Sequence, residues 1–211
     1  MGIKNLIEKA TKVLTNPTEL ITPKQILLVG PLRAGKTQIR HSYADDTTDV
    51  IPTNGRKQSE KAELMFFSKK RLLEIGGGSQ EMTDYPFSEE AKDKDCVMFV
   101  FDGTEFLKQV NNPSEGGEIY ARLKNQIWNA YDQPDLCTEK NKLKFVATHK
   151  DLCNGDLKQE IINAVDKANV EYKKITGVNR YKRELFDPAY FYCINACDKT
   201  EVENMFNRIL D

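Results

Sequence analysis

The stretch "QILLVGPLRAGKTQIR", residues 25–40, decides how this chain folds. Its first part, "QILLVG", is a short continuous apolar run, the pattern of a strand buried on both faces of a parallel sheet. Residues 30–37, "GPLRAGKT", satisfy the pattern Gly, four residues, Gly-Lys-Thr. A helix is expected to begin near Lys36. A glycine-rich turn between a strand and a helix is built for phosphate. Glycines let the backbone pass close to the ligand, consecutive N–H groups point inward, and the helix N-terminus adds partial positive charge. Gly30, Arg33, Ala34, Gly35, Lys36, Thr37 and Gln38 are therefore candidate nucleotide-binding residues, with Lys36 reaching the β and γ phosphates and the Thr37 hydroxyl facing a Mg²⁺ ion. Arg33 has two readings, a charge laid over the phosphates or a solvated loop arginine.

The pattern extends outward from this loop. "CVMFVFD" (96–102) and "LKFVATHKD" (143–151) read as further buried strands, and "AYFYCINAC" (189–197) as the last one. "AELMFF" and "RLLEI", separated by Ser68-Lys69-Lys70, read as two strands meeting at a tight turn. The region 44–57 reads as a polar, threonine-rich loop, and a glycine-bearing loop follows Asp102 before a helix at "EIYARLKNQIWNAYD". A long amphipathic helix places Ile161, Val165, Ala168, Tyr172 and Ile175 on one face, and "KTEVENMFNRIL" closes the chain as a helix. Strands alternating with helices predict an α/β architecture of three layers, a mostly parallel six-stranded sheet covered on both faces. Residues 2–15 form an amphipathic segment ended by Asn16-Pro17, so the expected organisation is an N-terminal helix over 1–17 and one domain over 18–211.

Composition limits the function classes. The 211 residues carry 31 basic and 32 acidic side chains, a balance that argues against nucleic-acid binding by bulk charge. The five cysteines are odd in number and only two histidines are present, so neither a disulfide framework nor a zinc cluster is expected. No apolar run reaches the roughly 20 residues of a bilayer span, and no secretory leader opens the sequence. The expected setting is cytoplasmic. The first helix is a candidate for peripheral membrane contact or for packing on its own domain. Gly2 invites lipidation, but Leu6 stands where that pattern wants Ser or Thr.

Four further segments fall in the order and spacing of a known family. "IPTNG" (51–55), "LLEIGG" (72–77), "FVATHKDL" (145–152) and "INAC" (194–197), together with the phosphate loop, resemble the Ras-like small GTPases and most closely their Arf-like branch, over roughly residues 24–210. The resemblance implies GTP and GDP as ligands, Mg²⁺ as cofactor, and hydrolysis of GTP in which Lys36, Thr53 and Gln80 take part. Thr37, Thr53 and Glu74 are then the metal-side residues, and Gly77 bonds the γ phosphate. Thr148, His149 and Asp151 read the base, and Ala196 and Cys197 close over it. It also implies effectors, an activating protein and an exchange factor as partners.

Several positions depart from the family. Glu74 replaces an aspartate, Gly78 stands where the water-orienting glutamine belongs, and Gln80 lies two positions on. Thr148 and His149 replace asparagine and lysine, while Asn195 and Cys197 replace serine and lysine. Asp151 remains. A carboxylate there accepts both the ring N–H and the exocyclic amine of guanine, whereas adenine would leave it unpaired. The expectation is a slow, partner-stimulated GTPase switch. A non-hydrolysing GTP-binding module and a P-loop ATPase are the alternatives.

Overall fold

The computed structural model describes residues 24–44, 56–62, 69–75, 94–112, 119–120 and 143–210. In these, strand β1 (Lys24–Val29) leads to helix α1 (Lys36–Ala44), then β2 (Arg56–Ala62), β3 (Lys69–Ile75), β4 (Cys96–Asp102) and α2 (Gly103–Asn111). They are followed by β5 (Leu143–Thr148), α3 (Leu157–Thr176), β6 (Phe191–Cys193) and α4 (Lys199–Leu210). The six strands form one sheet in the order β2-β3-β1-β4-β5-β6. All neighbouring pairs are parallel except β2–β3.

The apolar runs of β1, β4 and β5 form the middle of the sheet and feed both faces, as their sequences require. On one face Leu27, Val29, Phe99, Phe101 and Phe145 pack under α2 and α3 through Phe106, Val110, Ile161 and Val165. On the other, Ile26, Leu28, Met98, Val100 and Val146 pack under α1 and α4 through Ile39, Tyr43, Val202 and Phe206. Tyr43 and Phe206 meet edge to face at 4.7 Å, fastening α1 to α4. Because the chain leaves β1 towards β3 on one side while β4 lies on the other, the loop after β1 opens at a switch point, where α/β sheets bind ligands.

Four expectations are corrected. The strand pairing with "RLLEI" is Arg56–Ala62, with Ala62 opposite Lys69, while residues 63–67 of "AELMFF" lie outside the described residues. The polar sequence "RKQSEKA" forms an edge strand, where polar and charged residues suit a solvent-facing edge. The region after Asp102 is helix rather than loop. Asp102 Oδ1 accepts from the N–H groups of Thr104 and Glu105, an N-cap that starts α2 at Gly103. The last strand is three residues long, ending at Cys193. In α3, Ile161 and Val165 are buried, but Tyr172 is 36% and Ile175 85% exposed, so the apolar stripe continues past the body it packs on. Asp156 caps the start of α3, and Gly177 ends it at φ 78°. The 1–17 helix, Thr53, Gly77, Gly78 and Gln80 lie outside the described residues, as does most of "EIYARLKNQIWNAYD".

Candidate nucleotide-binding site

The phosphate loop is shaped by two glycines and one buried lysine. Gly30 has φ 140° and lies so close to β4 that a Cβ there would sit 1.9 Å from the Val100 carbonyl oxygen. Gly35 has φ 88°, with a Cβ position 3.1 Å from the Thr148 methyl carbon. Arg33, between them, also takes the left-handed conformation, at φ 61°, and is exposed. Lys36 is 4% exposed, and its ammonium donates to the carbonyl oxygens of Gly30 (2.9 Å) and Pro31 (2.7 Å). The loop thus closes around a buried cation, while α1 carries no acidic residue in its first turn. Among the described residues, α2, α3 and α4 carry Glu105, Glu160 and Glu201 there. An anion is the partner that such a helix start and such a lysine suit.

Thr37 opens α1 beside Lys36. The β3 residue Glu74 is paired with Leu28 of β1, just before the phosphate loop. A hydroxyl and a carboxylate are hard oxygen donors, the kind that Mg²⁺ takes.

The segment expected to read the base sits across the loop. Thr148 ends β5 and is fully buried. Its Oγ1 lies 2.9 Å from the Ala34 carbonyl oxygen, 3.1 Å from that of Phe101 and 2.9 Å from His149 Nδ1. The hydroxyl donates to one carbonyl at a time and can accept from the imidazole. Threonine thereby fastens the phosphate loop to the β5 end, so the loss of asparagine at this position leaves the two halves of the site joined. His149 takes φ 60°, and its Nδ1 lies 3.4 Å from Asp102 Oδ2. Asp102 thus caps α2 with one oxygen and faces His149 with the other. Asp151 is exposed on a single 3-10 turn over Lys150–Leu152.

The loop after β6 completes the arrangement. Ala196 is 7% exposed and its carbonyl accepts from Ser42 Oγ at 2.7 Å, while Gln38 Nε2 donates to the same Ser42 Oγ at 3.3 Å. Cys197 is exposed, and its N–H donates to Asn195 Oδ1 at 2.9 Å. Lys150 N–H approaches the Ile194 carbonyl at 3.5 Å, bringing the turn after β5 and the loop after β6 together. Glu201 holds the Lys150 ammonium at 2.7 Å and raises its pKa above the ordinary lysine value, chiefly through that hydrogen bond.

The structure therefore gathers Gly30, Arg33, Ala34, Gly35, Lys36, Thr37, Gln38, Thr148, His149, Asp151, Ala196 and Cys197 into segments that meet at one end of the sheet. Sequence reading missed Ser42, Asp102 and Glu201. Ser42 had a weak signal, four residues after Gln38 on one helix. Asp102 had a stronger one, since aspartate three residues before Glu105 marks a helix start.

No family model and no curated protein matches the sequence. Solved structures do match by shape. The Arl6 (BBS3) small GTPase of Trypanosoma brucei, with bound nucleotide analogue GppNp, aligns at TM-score 0.58 and 16% identity, over 89% of this chain and 95% of that one. A variant of Era from Aquifex aeolicus, bound to GDP·AlF4−, aligns at 0.57 and 13% identity over 90% of this chain and 56% of that one. Bacterial selenocysteine-specific elongation factor EF-Sec aligns at 0.51 and 11% identity over 90% of this chain but 28% of its own. The loop after β1, the sheet order and this likeness together give the chain the α/β fold of the P-loop GTPases.

Proposed function

We propose that this chain is a guanine-nucleotide-binding switch of the small-GTPase kind, nearest the Arf-like branch, that hydrolyses GTP to GDP slowly and faster with a partner. The observation that supports it best is the Thr148–Ala34 bond, which joins a phosphate loop with a buried lysine to a strand end carrying Asp151. Lys36 and the loop N–H groups bind the β and γ phosphates. Asp151 accepts the two guanine donors, His149 lies against the base, and Ala196 and Cys197 close over it. Thr37, Thr53 and Glu74 would hold Mg²⁺, which would supply charge neutralisation at the phosphates.

The switch consists of Thr53 and the segment from Glu74 onward, drawn to the γ phosphate and released after its loss. Gln80 orients the attacking water in place of the residue at Gly78, Arg33 lies near the phosphates, and an arginine from an activating protein raises the rate by roughly 10³–10⁵. An exchange factor and effectors are the other partners, in a cytoplasmic setting. Residues 2–15 would supply any membrane contact; liposome co-sedimentation of the whole chain against one starting at Pro17 tests it.

A second reading is favoured by Gly78, which cannot orient water: a GTP-holding interaction module without turnover. Ion-exchange chromatography of the nucleotide released from the purified protein, followed by a GTP turnover assay, separates the readings. Bound GDP with turnover supports the switch, and bound GTP without turnover supports the module. Bound adenine nucleotide contradicts both and supports an ATPase.

A further inference from the structure

The two loops that close over the base are joined by one side chain that belongs to neither. Glu201, in the first turn of α4, accepts from the Lys150 ammonium with Oε1 at 2.7 Å and from the Asn195 backbone N–H with Oε2 at 2.9 Å. Lys150 stands between His149 and Asp151, and Asn195 immediately precedes Ala196. One carboxylate therefore spans the Asp151 turn and the Ala196 loop. Its own position is fixed, because Asp198 Oδ1 accepts from the Thr200 and Glu201 N–H groups at 2.9 and 3.1 Å and anchors the start of α4. The Ala196 loop is held from the opposite side by Ser42.

We infer that Glu201 is a positioning residue for base recognition, the clamp that keeps the Asp151 turn and the Ala196 loop at one spacing. This rests on the reading that the site takes a guanine nucleotide. Both bonds of Glu201 are made to groups one residue away from the proposed base contacts. Loss of the carboxylate frees the two loops to separate, which weakens the grip on the base and leaves the phosphate loop as it is. Lys36 and Thr148 share no bond with Glu201 in the structure.

The test uses the full chain loaded with a fluorescent N-methylanthraniloyl GDP, with its release followed after an excess of unlabelled GDP. Glu201→Ala removes a charge-assisted bond to a backbone N–H and a half-exposed ion pair, so release should be about five- to tenfold faster. Glu201→Gln keeps an acceptor for Asn195 and should fall between. Lys150→Met breaks the clamp on the Asp151 side alone and should speed release by about two- to fivefold, less than Glu201→Ala. The preference for GDP over ADP, measured by competition, should fall in Glu201→Ala by a factor similar to the release rate. Release from Glu201→Ala at the wild-type rate overturns the inference. So does a lowered melting temperature with unchanged GDP-over-ADP preference, which is the signature of a purely structural role. A wild-type chain that binds no guanine nucleotide overturns the underlying reading and this inference with it, whereas a wild type that binds GDP with an unaffected variant contradicts the inference alone.

Discussion

Thr148→Val removes a single hydroxyl from the joint between the two halves of the site. The side chain is fully buried, and valine fills nearly the same volume, so packing is preserved. What disappears is the donor that lies 2.9 Å from the Ala34 carbonyl and 3.1 Å from the Phe101 carbonyl. Because one hydroxyl hydrogen serves one of these acceptors at a time, the loss is about one hydrogen bond plus the desolvation of a buried carbonyl. That amounts to about 2 kcal/mol, within the range of 1–3 for an unsatisfied buried group. In a domain of this size it lowers the melting temperature by about 4–8 °C. Urea unfolding followed by far-UV circular dichroism gives the free-energy change directly. Thr148→Ser is the control: it restores the donor, removes one methyl, and should recover more than half of the loss. A valine variant within about 0.5 kcal/mol of wild type would refute the claim that this hydroxyl ties the phosphate loop to β5.

Gly30→Ala should be among the most damaging single changes, since its Cβ would sit 1.9 Å from the Val100 carbonyl oxygen at a φ of 140°. A loss above about 3 kcal/mol is expected, read as a collapse in soluble yield or urea midpoint, and near-wild-type stability would contradict the loop geometry. Burial pushes the Cys96 and Cys193 thiols from 9.0 to about 12. These thiols stay neutral in the fold while the unfolded chain ionises, so their contribution is intact below pH 9 and is lost as pH rises towards 12. Stability should drop by about 2 kcal/mol between pH 8 and 10, Cys193 being only part-buried by exposed area, and Cys96→Ala should flatten the drop. Ile175→Ser, at an 85% exposed position, should change stability by less than about 0.5 kcal/mol, against about 3 for the fully buried Ile161→Ala; equal losses would contradict the exposed end of α3.

The phosphate loop was legible because its requirements are local. A buried strand, two glycines with positive φ, a lysine and a helix start all fall within residues 25–44. The six-stranded, mostly parallel sheet followed from the same reasoning, since runs such as "CVMFVFD" have no other place than a sheet interior. The edge strand Arg56–Ala62 was not legible. Its sequence has no apolar alternation, and pairing with β3 supplies what periodicity lacked. The apolar run of "AELMFF" drew the expected pairing away from it, because apolar residues give the stronger local signal. Ile175 fits the helical stripe by spacing alone, but spacing does not say where the neighbouring layer stops. Glu201 was invisible for a different reason: Lys150 and Asn195 are brought to it by the fold, 51 and 6 residues away in sequence.

In the proposed function Asp151 carries the choice of base, so exchanging it tests the account most directly. In Asp151→Asn the side chain keeps one acceptor for the ring N–H but presents an amide donor where a carboxylate accepted the guanine amine. That pairs with the oxygen at the corresponding position of xanthine. Competition against labelled GDP should show wild type preferring GDP over xanthosine diphosphate and over ADP. In the variant, GDP affinity should fall at least about a hundredfold while xanthosine diphosphate becomes the preferred ligand. Unchanged preference for GDP in the variant, or a wild type that prefers ADP, would contradict the assignment of this site to a guanine nucleotide.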